Sequence, residues 1–105
     1  LNFGGKTFEN KDLTAAKFVN CGFERCTFDQ VSLKDARFVN CRFQNVVMKN
    51  GTMENAGFIK CSLVDLDART MKNKGAYVSE CTIENVLMDD PSDEKQGEME
   101  WNYTE

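Results

Sequence analysis

Five cysteines, and not one histidine, are the residues of this 105-residue chain whose types first suggest chemistry. A thiolate is a nucleophile, a zinc ligand or half of a disulfide. Nucleophilic use needs a base beside the thiol, and the commonest base, histidine, is absent. Zinc needs ligands that converge on one point, usually from paired Cys-x-x-Cys spacings, and no such pair occurs. Four of the five stand at Cys21, Cys41, Cys61 and Cys81, a constant step of twenty. A constant step stacks side chains in a straight column, about one strand spacing apart if each step is one coil. Neighbouring thiols in such a column are near enough to oxidise. The reading favoured here is packing, because cysteine is among the most buried residue types. No Gly-rich phosphate loop or nucleophile elbow is present, so neither a cofactor nor a metal site nor an enzymatic activity is expected.

The step of twenty belongs to the whole chain. The segment Ala36-Arg37-Phe38-Val39-Asn40-Cys41 has counterparts beginning at Ala16, Ala56 and Ala76. A period of five lies inside it. All eight phenylalanines fall in the register Phe3, Phe8, Phe18, Phe23, Phe28, Phe38, Phe43, Phe58, which Leu13, Leu33, Met48, Met53, Leu63, Val78, Ile83 and Met88 continue. All five cysteines fall two residues earlier in the five, in a register shared with Ala16, Ala36, Ala56 and Ala76. The other three positions are mostly polar. A helix repeats near 3.6 residues and a strand at two, so a period of five fits neither for long. It fits a ribbon that points two of every five residues inward and then turns a corner. Four such edges close one square coil of twenty residues, and stacked coils bury what a single coil leaves exposed.

The pattern Ala-x-Phe-x-x resembles the pentapeptide repeat family, whose usual unit is Ala-(Asp/Asn)-Leu-x-x. Here Phe dominates the centre and Cys often replaces Ala. The resemblance covers residues 1–88 and implies an all-β fold, a right-handed quadrilateral β-helix of about four coils. Two places are expected to be weak. Lys6 and Lys11 occupy inner positions of the first coil, which predicts an open or frayed end. Ala68 and Asn73 interrupt the large column, which predicts a loosened corner over residues 71–75. The corner asparagines, Asn10, Asn20, Asn40, Asn45, Asn50, Asn55 and Asn85, are expected to serve turns and amide ladders.

Residues 89–105 form a second region. Residues 1–88 hold twelve Lys/Arg and ten Asp/Glu, for +2; residues 89–105 hold one and seven, for −6. After Pro91 the alternation at Met99, Trp101 and Tyr103 predicts a strand that caps the last coil, the alternative being an acidic tail. The outward residues after the central Phe are Val19, Val39 and Ile59, and Val64 on the next face would extend them. These four with Met99, Trp101 and Tyr103 are the candidate interaction surface. The partner expected is another protein or a second copy, with no small-molecule substrate and no membrane. Lys17 and Arg37 share a column and Arg42 stands nearby, but no extended basic stripe follows, so nucleic acid is not expected.

The function expected is a non-enzymatic interaction module. The resemblance supplies an alternative, a DNA-mimicking gyrase inhibitor of the quinolone-resistance type, which the near-neutral body weakens. A further alternative is the β-helix portion of a larger bacterial effector, an expectation that the start at Leu1 fits. Asn50-Gly51-Thr52 and Asn102-Tyr103-Thr104 match glycosylation tripeptides, which arise often by chance. With an odd cysteine count, a reducing cytoplasm is the compartment expected.

Overall fold

The computed structural model describes residues 1–88 and 100–103. They form eleven strands and no helix: β1 (Asn2–Gly4), β2 (Thr7–Glu9), β3 (Lys17–Val19), β4 (Gly22–Glu24), β5 (Thr27–Asp29), β6 (Arg37–Val39), β7 (Arg42–Lys49), β8 (Gly57–Ile59), β9 (Ser62–Ala68), β10 (Tyr77–Met88) and β11 (Glu100–Tyr103). Every pairing between them is parallel, and within residues 1–88 every register shift is twenty: Phe3 on Phe23, Phe18 on Phe38, Phe43 on Leu63. The chain is therefore a square β-solenoid of about four coils.

Why the chain turns every five residues is visible in the backbone. Positive φ occurs at position 5 and at every fifth residue to 85, except Thr70. The left-handed region bends the ribbon by one corner, and Asn enters it more cheaply than most residues. All seven corner asparagines lie there, with φ from 53° to 60°. They also form ladders, as expected: Asn40 Nδ2 donates to Asn20 Oδ1 at 2.6 Å, and Asn85 Nδ2 to Asp65 Oδ1 at 2.7 Å. The corner before each Ala is a tight turn. Ala16, Ala36, Ala56 and Ala76 donate back three residues to Leu13, Leu33, Met53 and Asn73, each at 3.0 Å. The positive-φ residue in these turns is Ala15, Asp35, Asn55 or Gly75.

The four flat edges are named by one central residue each. Face A centres on Phe38, face B on Phe43, face C on Met48 and face D on Met53. Between the faces the core is almost entirely apolar. Phe38, Phe43 and Phe58 are fully buried, and Asn73 is the one polar side chain buried among the described residues. Rings stack along the columns of faces A, B and C, with Phe38 between Phe18 at 4.8 Å and Phe58 at 5.0 Å. Across a corner they meet edge-on, as Phe38 and Phe43 do at 74°. Each buried Phe contributes about 1.5–3 kcal/mol.

The first coil is open at its end, as expected, but not frayed, and the second weak place lies elsewhere than expected. The first coil keeps its rungs: β1 and β2 pair in register with β4 and β5, and Lys6 and Lys11 carbonyls accept from Thr27 and Ser32 at 2.9 Å. Its lysines stay exposed, and Phe3, Phe8, Leu13 and Phe18 are half-buried because no described coil lies below them. Residues 71–75 are not loosened. Met71 and Asn73 are buried, and Thr52 pairs with Lys72 in frame. The irregularity sits one corner earlier, where Thr70 lacks the positive φ. There the Asn50 N–H donates to Thr70 Oγ1 at 3.0 Å.

Beyond the fourth coil, β11 pairs parallel with β10 on face A, Trp101 opposite Val78 and Tyr103 opposite Cys81, with a bulge between. The expected alternating strand is thus present from Glu100 to Tyr103. Met99 and the break at 89–93 lie outside the described residues.

Candidate interaction surface

Face A carries β3, β6, β8, the start of β10 and then β11. Its central residues point inward, so those on either side point outward. One outward column is Val19, Val39, Ile59, Ser79; the other is Lys17, Arg37, Gly57, Tyr77. The three aliphatic residues therefore stack as the spacing requires. Val19 is 46% exposed, and Val39 and Ile59 are half-covered by their neighbours. Val64 does not extend them. It lies on face B between Gln44 and Glu84, so a polar column replaces the stripe at the corner. Trp101 and Tyr103 lie on the strand that continues face A.

The second column holds a feature that residue-type reasoning passed over. Tyr77 lies across Gly57: a Cβ at residue 57 would collide with the Tyr77 hydroxyl and Cζ. Only glycine leaves room for the ring. It reaches the Arg37 guanidinium, 5.5 Å from the ring centre. Arg37 Nη1 in turn donates to the carbonyls of Ala36 at 3.0 Å, Asp35 at 3.3 Å and Asn55 at 2.8 Å. The signal that would have found this was the column order Arg, Gly, Tyr at steps of twenty.

The cysteines form the column foreseen, on face B. All five are free thiols, and Cys26, Cys41, Cys61 and Cys81 are buried. Their sulfurs donate to main-chain oxygens two residues back and in the coil below. Cys61 Sγ lies 3.4 Å from Ile59 O and 3.2 Å from Phe38 O; Cys81 Sγ lies 3.3 Å from Ser79 O and 3.1 Å from Phe58 O. The Cys61 thiol is pushed up by its hydrogen bonds with Cys41 and Cys81 and by burial. Those bonds act in the opposite sense on Cys41 and Cys81. Each of these sulfurs also faces two carbonyl oxygens, contacts that a thiol proton can make. Among the described residues no three Cys, Asp or Glu side chains are grouped to hold a metal ion. A shallow depression beside Gly51 is lined by Gln30, Ser32, Asn50, Thr52 and Lys72; its two hydroxyls are engaged, Ser32 with Thr14 at 2.9 Å and Thr52 with Glu54 at 3.2 Å.

With this geometry in place, the known proteins that match are informative. The profile of pentapeptide repeat regions matches residues 7–88. The chain belongs to the pentapeptide repeat family. Its rungs, square section and corner conformations are those described above, with Phe at the centre of the repeat. Among solved structures it is similar to full-length QnrB1, a plasmid-mediated fluoroquinolone resistance protein. The TM-score is 0.59 at 18% identity, over 77% of this chain and 43% of QnrB1. It is also similar to Rfr23, a pentapeptide repeat protein from the cyanobacterium Cyanothece 51142. There the TM-score is 0.50 at 11% identity, over 96% of this chain and 88% of Rfr23. At these identities the likeness is one of fold. The chain spans less than half the length of QnrB1. No curated protein matches it.

Proposed function

We propose that this pentapeptide repeat chain is a non-enzymatic protein-interaction module, working in a reducing compartment such as the cytoplasm, with face A as its contact surface. The observation that carries the reading is the outward column of Val19, Val39 and Ile59 on a flat parallel sheet, beside an arginine fixed by Tyr77. A solenoid of stacked rungs offers rigid faces rather than a cleft, so it presents side chains at little entropic cost. Five free thiols, four of them buried, are compatible with a reducing compartment. No helix among the described residues is long and apolar enough to cross a membrane.

A photo-activated cross-linker at position 39 tests this. Adducts with a protein should form from position 39 and not from position 52 on face D. Equal labelling from both sites, or none from position 39, removes the reading. The likeness to QnrB1 in fold keeps gyrase inhibition as a second reading. The body's +2 charge is the wrong sign for a duplex mimic, so gyrase supercoiling is expected to continue unchanged at micromolar chain.

A further inference from the structure

Face A repeats along the solenoid axis with a step that a helix can match. Val19, Val39 and Ile59 occupy three consecutive rungs. At about 4.8 Å per rung, the column from Val19 to Ile59 is about 9.6 Å long. An α-helix laid along that axis places residues i, i+3 or i+4, and i+7 on one side, over a rise of about 10.5 Å. The two stripes agree in step and in length.

Charge selects the kind of helix. Over the three rungs of the aliphatic stripe, corners included, face A carries Lys17, Arg37 and Lys60 and one acid, Asp35, for +2; Glu80 and Glu100 lie on the rungs above. Lys17 and Arg37 run in one column beside the aliphatic residues, and Lys60 stands at the corner on the other side. Arg37 is already fixed by three carbonyls and the Tyr77 ring, so little side-chain freedom remains to be lost on binding. A second copy applied face to face would set +2 against +2, which opposes self-association. We propose that face A binds an acidic amphipathic helix of a partner protein, its apolar stripe on Val19, Val39 and Ile59 and its carboxylates on Lys17, Arg37 and Lys60. This rests on the module reading above and names the chemistry of the partner.

The probe is a fluorescein-labelled helical peptide with leucine at i, i+3, i+4 and i+7 and glutamate elsewhere, followed by anisotropy on the full chain. Binding should weaken by at least about tenfold in Val39→Asp and in Lys17→Glu, and stay unchanged in Thr52→Asp on face D. It should also weaken as salt rises, and a leucine/lysine peptide should bind at least about tenfold less tightly. Melting curves show whether each variant is folded, and Lys17, being exposed, serves if Val39→Asp is not. Equal binding of the two peptides, or no loss in a folded Lys17→Glu, overturns the proposal. So does a wild-type dimer in sedimentation that Val39→Asp disperses, because the occupant is then a second copy. If the peptide does not bind but the cross-linker at position 39 traps a protein, this inference falls and the module reading stands. If neither occurs, both fall.

Discussion

Arg37 and Tyr77 meet across an intervening coil: the guanidinium carbon lies 5.5 Å from the ring centre, with Gly57 beneath the ring. Three rungs are thereby clasped by one outward contact. A double-mutant cycle on Arg37→Ala and Tyr77→Ala should give a coupling energy of about 0.5–1 kcal/mol in urea unfolding. In a Gly57→Ala background the coupling should vanish, because the new Cβ occupies the ring's place. Persistent coupling there would mean the ring contact is not the source.

The ring column should dominate stability. Phe38→Ala should lose about 3–5 kcal/mol, since Phe38 is fully buried between two stacked rings. Phe3→Ala, at the half-buried first coil, should lose less than half of that. Equal losses in denaturant midpoints would show that the first coil is as enclosed as the second.

Corner conformation should matter at exposed positions where burial does not. Asn40 has φ 55° and donates to Asn20. Asn40→Val should lose about 1–2 kcal/mol, because a β-branched residue suits the left-handed region badly, while Asn40→Gly should lose clearly less. Ala15, with φ 62° in its tight turn, should gain on replacement by Asn. Thermal midpoints of the three variants decide the matter.

Asp67 gives a pH-dependent check. Its carboxylate accepts from Arg69 Nη2 at 2.8 Å and Nε at 3.0 Å, and this hydrogen bonding holds its pKa below the ordinary 3.8. A depressed carboxyl adds stability that is present above the unfolded value and lost as pH falls through the folded one. Wild type should therefore be more stable than Asp67→Asn at neutral pH, by a small margin for a pair this exposed. The margin should close below pH 3.8. A margin constant down to low pH would show that titration of Asp67 is not its cause.

The thiols should be shielded by packing. Maleimide on native protein should label half-buried Cys21 well before Cys26, Cys41, Cys61 and Cys81, and should reach all five only in denaturant. Fast native labelling of Cys61, read by mass spectrometry, would show that the column opens.

The sequence by itself determined the period, the inward registers and the stacking of residues twenty apart, because each is set by repetition and by the need to bury apolar side chains. Phe38, Cys61 and Val39 could all be assigned a side of the ribbon from spacing alone. It placed the asparagines at the corners, and their left-handed φ supplies the backbone reason. Only the tertiary structure decided events between coils. The lysines of the first coil escape burial because nothing described closes that end, so β1 and β2 stay paired. Asn73 is accepted in the core, and the irregular corner moves to Thr70. Val64 is separated from Val39 and Ile59 by a corner and by the glutamine and glutamate above and below it. Tyr77 reaches Arg37 because Gly57 offers no side chain in the way. A repeat states which residues recur; how far a side chain reaches over its neighbour depends on the neighbour's volume, and that is settled when the coils stack.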